Sequence, residues 1–161
     1  MSELLEKILS DDNIAAACDR VYANNGVGGI DGVTVEQLDD FIEKNWEGIR
    51  EQIRHRAYKP QPVRRVGIPK PNGGVRNLGI PTVMDRVIQQ SIAQAIEPLF
   101  EPLFSERSYG FRPGRSCEMA IRQLLVYLNE GYEWIVDIDL EKVLRQRAAG
   151  QIDEFCPRRR Q

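Results

Sequence analysis

Metal-binding and cross-linking residues are scarce in this chain, with one histidine and three cysteines among 161 residues. Cys18, Cys117 and Cys156 are odd in number and far apart, which fits neither a disulfide framework nor a zinc site. A reducing compartment follows, and the cytoplasm is the expected location. Long apolar runs are absent as well, so no membrane-spanning stretch is expected, and no signal peptide is expected at the start. No internal repeat or low-complexity segment stands out. With 42% hydrophobic and 29% charged residues, the remaining class is an ordinary globular domain, long enough to bury a core.

Charge of one sign is missing where it is most informative. The net charge of −2 gives no overall pull toward nucleic acid. Residues 52–84, however, contain no Asp or Glu, while holding His55, Arg54, Arg56, Lys59, Arg64, Arg65, Lys70 and Arg76. The segment before them is strongly acidic. Such segregation of charge says more than the net value. The same stretch reads as a β-hairpin, with strands at 63–68 and 75–80. Between them, Pro69-Lys70-Pro71-Asn72-Gly73-Gly74 supplies a fixed φ and then the positive φ of a tight reversal. Cations on a stiff two-stranded arm suit a triphosphate or a nucleic-acid backbone. The plainer alternative is an edge hairpin with solvated charges.

Helices are expected on both sides of the arm. Residues 2–9 form a short one, and Asp11 or Asp12 caps a second that runs to about Asn24, with Ile14, Ala17, Cys18 and Val21 inward. Residues 24–32 (NNGVGGIDG) are a glycine-rich loop that permits close approach to a backbone or a phosphate. It is not a P-loop, because no Gly-Lys-Ser/Thr follows, and a mobile connector is the alternative. Thr34 and Gln37 form a capping box. The helix after it buries Val35, Leu38, Phe41 and Ile42, and its periodicity continues through Trp46, Ile49 and Ile53. Trp46 is expected in the core, its indole N–H needing a partner. His55 has no second ligand nearby and reads as solvated or phosphate-facing. Thr82 caps a helix that Pro98 ends, with Val87, Ile88, Ile92, Ala95 and Ile96 buried and the aromatics of 98–104 packed inward.

Two further stretches carry chemistry. In SYGFRPGRS (108–116), aromatics alternate with Gly and with Arg112 and Arg115. This fits either a strand of nucleic acid held by stacking and phosphate contacts or a structured loop with buried aromatics. Ser116 then caps a helix over 117–129, which Gly131 stops. In WIVDIDL (134–140), an apolar strand would place Asp137 and Asp139 on one face. Paired carboxylates there call for a divalent cation, and Mg²⁺ prefers such oxygens; an exposed edge strand is the alternative.

Four segments in order, NNGVGGIDGVT, YKPQPVRRVGIPKPNGGVRNLGIPTVMDRVIQQ, SERSYGFRPGRS and WIVDIDLEK, resemble group II intron-encoded reverse transcriptases over roughly residues 1–142. The resemblance implies an α+β fold, mostly helical: the fingers subdomain of a right-hand polymerase with one β-hairpin and the first palm strand. Fingers would cover 1–133, the start of the palm 134–142, and an atypical tail 143–161. It implies that Arg64 and Arg76 grip the triphosphate of an incoming dNTP, with Lys70 a third contact, and that Ile80 packs against the templating region. Gly26, Gly28 and Gly29 match a loop that contacts template RNA, and Arg65, Arg112 and Arg115 join the RNA-binding set. Asp139 matches the first catalytic aspartate and metal ligand, with Asp137 on the same face. RNA template, intron RNA, dNTP and Mg²⁺ are the implied partners. A retron or diversity-generating reverse transcriptase is a near relative, and a non-catalytic RNA-binding module is the rival reading.

The chain also departs from the family pattern. Leu144 stands where a Phe gates against ribonucleotides, and Glu118 where many relatives have His. The tail RQRAAGQIDEFCPRRRQ matches nothing in the family and is expected to be foreign or frameshifted sequence. The Tyr-Ala-Asp-Asp motif that supplies the other catalytic carboxylates does not occur in the sequence. The chain is therefore expected to be part of a longer enzyme, binding RNA weakly without polymerase activity.

Overall fold

A computed structural model describes residues 2–71 and 73–138. Their order is α1 (Glu3–Leu9), α2 (Asp11–Ala23), α3 (Leu38–Arg54), β1 (Arg64–Pro69), β2 (Val75–Ile80), α4 (Val83–Phe100) and α5 (Cys117–Asn129). Short 3-10 turns at Val35–Gln37 and Glu101–Leu103 lead into α3 and out of α4. The architecture is α+β, with one two-stranded antiparallel sheet among the described residues. The described residues group into two compact units, which divide after Ser108.

The first unit is a helical body with an arm. Its core joins Leu9 of α1, Ile14, Ala17 and Val21 of α2, Leu38 and Trp46 of α3, and Val83, Met84 and Val87 of α4. These positions recur at helical spacing, which is why one stripe of each helix is buried. The α2–α4 contact also holds a polar lock. The Asn13 side-chain amide donates to Ile8 O at 2.8 Å and Ser91 O at 3.0 Å, while Gln94 Nε2 donates to Asn13 Oδ1 at 2.7 Å. Two arginines of α3 tie the acidic N-terminal helices down. Arg50 pairs with Asp11 and Glu47, and Arg54 with Glu6 at 3.0 Å and Glu51 at 2.8 Å.

Several expectations are corrected here. Ser10, not Asp11 or Asp12, is the residue before α2, and both aspartates sit in the first turn, where the helix dipole favours them. Pro98 does not end α4, which runs two residues further. A proline near the end of a helix removes a single intrahelical bond, and the chain tightens into the 3-10 turn instead. The aromatics beyond it do not pack inward: Phe100 and Phe104 are half exposed and Leu103 is 76% exposed. Trp46 is buried as expected, yet its indole N–H finds no hydrogen-bond partner among the described residues. Arg50 stacks on that ring, with its guanidinium carbon 5.3 Å from the centroid.

In the second unit, the Ser116 hydroxyl accepts from Met119 N–H at 3.3 Å and opens α5. Gly131, at φ +91°, closes it in the left-handed region where a Cβ would be strained. No residue of α5 is buried. The expected palm strand is not formed over its described part, residues 134–138. A strand is held by the N–H and C=O groups of a neighbouring strand, and none lies beside this segment among the described residues. Trp134, Ile135, Val136 and Ile138 are accordingly 68% exposed or more. Asp139, Leu144 and the tail 143–161 lie outside the described residues.

Candidate nucleotide and nucleic-acid interface

The arm is the best-defined element with a surface to offer. Its register pairs Arg64 with Ile80, Val66 with Leu78, Ile68 with Arg76 and Pro69 with Val75. Strand side chains alternate, so Arg64, Val66, Ile68, Arg76, Leu78 and Ile80 share one face. That face has a cation toward each end and an apolar floor between them. Arg65 is on the opposite face, beside Gly67 and Gly79. Along the strands, Arg64 and Arg76 are four residues apart in register, about 13 Å, a span two arginine side chains can close from both ends. The reversal is tight: Lys70 N–H donates to Gly74 O at 2.7 Å and Gly73 N–H to Lys70 O at 3.1 Å, with Gly73 at φ +82°. Lys70 is thereby held at the tip.

Both strands are almost entirely exposed, so packing does not fix the arm to the body. Polar contacts at its base do. Asp85, in the first turn of α4, is only 3% exposed. Its Oδ1 accepts from the Tyr58 hydroxyl at 2.6 Å, and its Oδ2 from Gln61 N–H at 3.0 Å and the Thr82 hydroxyl at 2.7 Å. Asp85 N–H in turn donates to Thr82 Oγ1 at 3.1 Å. The Thr-x-x-Asp signal was legible as a helix cap. The carboxylate, however, reaches beyond the cap to the chain entering β1. Burial, and then the bond to Asp85, push the Tyr58 hydroxyl far above the ordinary phenol range, so it stays a proton donor.

The glycine loop lies against the arm's root. Arg64 approaches Gly28 O at 3.5 Å, and Arg86 donates to Val27 O at 2.8 Å. Arg86 carried no sequence signal of its own, because its role depends on α4 passing beside the loop. At Gly29 a Cβ would stand 2.6 Å from Thr82 Cα, so the loop touches backbone there and only glycine fits. The loop, with Arg64, Thr34 and Glu36, lines an open cavity of about 430 Å³.

Among the expected cations, Arg54 is taken up by Glu6 and Glu51 in the body. Arg56, Lys59, Arg64, Arg65, Lys70 and Arg76 are exposed. His55 bonds Glu51 O at 2.9 Å on the surface. In the second unit Arg115 stacks over Tyr109 at 5.6 Å, and Phe111 is fully exposed at φ +55°, a strained setting for an aromatic. Glu118 pairs with Arg122 at 2.6 Å along α5. No group of three or more His, Cys, Asp or Glu among the described residues could hold a metal ion, so the described carboxylates, Asp137 included, do not by themselves make a metal site. No helix among the described residues is long and apolar enough to cross a membrane.

Residues 68–145 match the family model described as reverse transcriptase (RNA-dependent DNA polymerase). That span takes in most of the arm, α4, α5 and the segment carrying Asp137 and Asp139. The chain belongs to the reverse transcriptases. Protein YkfC of Escherichia coli is 36% identical over 146 residues, covering 87% of this chain and 38% of that protein. The group II intron-encoded protein LtrA of Lactococcus lactis is 34% identical over 141 residues, 87% of this chain and 23% of LtrA. The putative COX1/OXI3 intron 1 protein of Saccharomyces cerevisiae is 28% identical, over 88% of this chain and 17% of its own length. Within the family its likeness is to group II intron-encoded reverse transcriptases. It spans 38% or less of the length of these three relatives.

Proposed function

We propose that the whole protein copies RNA into DNA and assists the splicing and mobility of its intron RNA, with the arm serving as its nucleotide grip. In this reading Arg64 and Arg76 hold the triphosphate of a dNTP, Lys70 adds a third contact, and Ile80 stands beside the templating base. Arg65 and the Gly26, Gly28 and Gly29 loop are assigned to RNA, as are, in the second unit, Arg112 and Arg115. The observation that carries the reading is the sidedness of the hairpin: two arginines flank an apolar floor on one face, while Arg65 faces away. A nucleotide presents the same pattern, phosphates beside a flat apolar base. Asp139 and Asp137 would hold Mg²⁺, which would help activate a primer hydroxyl and stabilise the pyrophosphate leaving group. We assign the protein to the cytoplasm.

This chain alone is read as binding RNA weakly without extending a primer, because Tyr-Ala-Asp-Asp does not occur in it. Residues 143–161 are read as foreign or frameshifted. Sequencing the source gene past position 142 tests that, and a natural product ending in RRRQ overturns it. RNA binding is tested by filter binding at several salt concentrations. Each phosphate contacted on a single strand contributes about −0.7 to the slope of log K against log salt, so three or four contacts give roughly −2 to −3. Arg65→Ala should lower that slope by about 0.7. Arg64→Ala with Arg76→Ala should abolish dNTP binding and leave the RNA slope close to that of the unaltered chain. Tight, salt-independent RNA binding would overturn the reading.

A further inference from the structure

We propose that Asp85 is the positioning residue of the arm: its buried carboxylate latches both ends of the hairpin to the start of α4 and so fixes where the arm's cations stand relative to those of the body. The inference rests on the reading of the arm as a grip for polyanions.

The geometry is that of a clasp. Tyr58 and Gln61 belong to the chain entering β1, and Thr82 to the chain leaving β2. All three converge on one carboxylate, at 2.6, 3.0 and 2.7 Å. The donors are a phenol, a backbone N–H and a hydroxyl, all neutral. A carboxylate 3% exposed and held by neutral donors alone is expensive to bury, and helix capping would need only the Thr82 bond. What the other two bonds add is the tie to the strand that enters the arm. The arm needs that tie, since β1 and β2 are almost entirely exposed and the Arg64 to Gly28 contact beside it is long, 3.5 Å.

The clasp bears on binding through geometry. Arg56 lies on the body side of the clasp and Lys59 between its Tyr58 and Gln61 donors, while Arg65 and Lys70 lie beyond it on the arm. A single strand of RNA engages both sets only while their spacing is held. An unlatched arm leaves each cation charged and exposed, yet the two sets no longer meet one strand together.

The test compares the full chain with Asp85→Asn, which keeps the shape but replaces one acceptor oxygen by a donor amide. RNA binding is measured by salt titration well below the melting temperature of each protein. The expected slope falls from roughly −2 to −3 to about −1, and affinity near 0.1 M salt falls roughly 25-fold, at about fivefold per lost phosphate contact. Tryptic cleavage after Arg64, Arg65 and Arg76 should accelerate in step. A loss of stability alone lowers the melting temperature and leaves the slope of the folded protein untouched, and that result overturns the proposal. If Asp85→Asn fails to fold, Tyr58→Phe removes one donor and should give an intermediate slope; an unchanged slope with unchanged cleavage overturns the proposal equally. A native chain whose binding ignores salt refutes the grip itself. A native chain with the expected slope, retained by both variants, refutes only the latch.

Discussion

Gly29→Ala should unseat the glycine loop from the root of the arm. The added methyl would stand 2.6 Å from Thr82 Cα, 2.8 Å from Thr82 N and 3.0 Å from Pro81 O. Relaxed carbon–carbon contact is about 3.5–4.0 Å, so the loop must retreat by about 1 Å. The atoms in its way are backbone, and Thr82 is bound to the buried Asp85, so the obstacle cannot swing aside as a side-chain end would. Overpacking of this kind costs about 1–3 kcal/mol. At about 4 °C per kcal/mol for a unit near 100 residues, the melting temperature should fall by roughly 4–12 °C. Gly48→Ala is the control. That glycine lies within α3 with nothing within 4 Å of an added Cβ, so the change should stabilise by about 1 kcal/mol through helix propensity. Circular dichroism melts at the helix minimum measure both. A Gly29→Ala melt within a degree of the unaltered chain would refute the argument that this glycine is required by close packing.

Arg54→Ala should weaken the tie between α3 and α1 while leaving the salt slope of RNA binding unaltered, since Arg54 is engaged by Glu6 and Glu51; a smaller slope would return it to the binding set. Cys18 should resist alkylation near pH 8 while exposed Cys117 reacts, because burial, and then Asp39, push the Cys18 thiol up to about 11. The sign for stability follows from the raised value. The folded form keeps its proton where the unfolded thiol has lost it, so the contribution is complete below about pH 9 and fades as pH rises toward about 11. Mass spectrometry after iodoacetamide at stepped pH reads the first effect. Primer extension on RNA with dNTPs and Mg²⁺ should yield no product from this chain alone, and extension by a preparation free of other polymerases would contradict that.

The helical body was legible because its apolar residues recur at one period and its caps use local signals. Ser116 and the Thr34–Gln37 box could be read from neighbours in sequence, and both form. The hairpin was legible for the same reason: Lys70 to Gly74 is a local reversal whose proline and glycines announce it. Long-range partners were not. Nothing local says that the Asp85 carboxylate reaches back to Tyr58 and Gln61, that Arg54 is consumed by Glu6, or that Asn13 and Gln94 lock two helices together. The apolar run at 134–140 was read as a strand from its own residues, yet a strand is a relation between two segments, and one segment supplies only half of it. Of the candidate site, the residues of the arm were legible, whereas the clasp that aims them depends on the fold.

The role of the arm turns on where a triphosphate touches the chain. Backbone amide shifts of the isotope-labelled protein, followed while a dNTP is titrated in, locate that contact without relying on catalysis. The expected perturbations cluster at Arg64, Arg76, Ile80 and the Lys70 turn and vanish in the Arg64→Ala, Arg76→Ala double variant. Perturbations confined to residues 108–116, or a hairpin that does not respond at saturating dNTP, would contradict the assignment of the arm as the nucleotide grip.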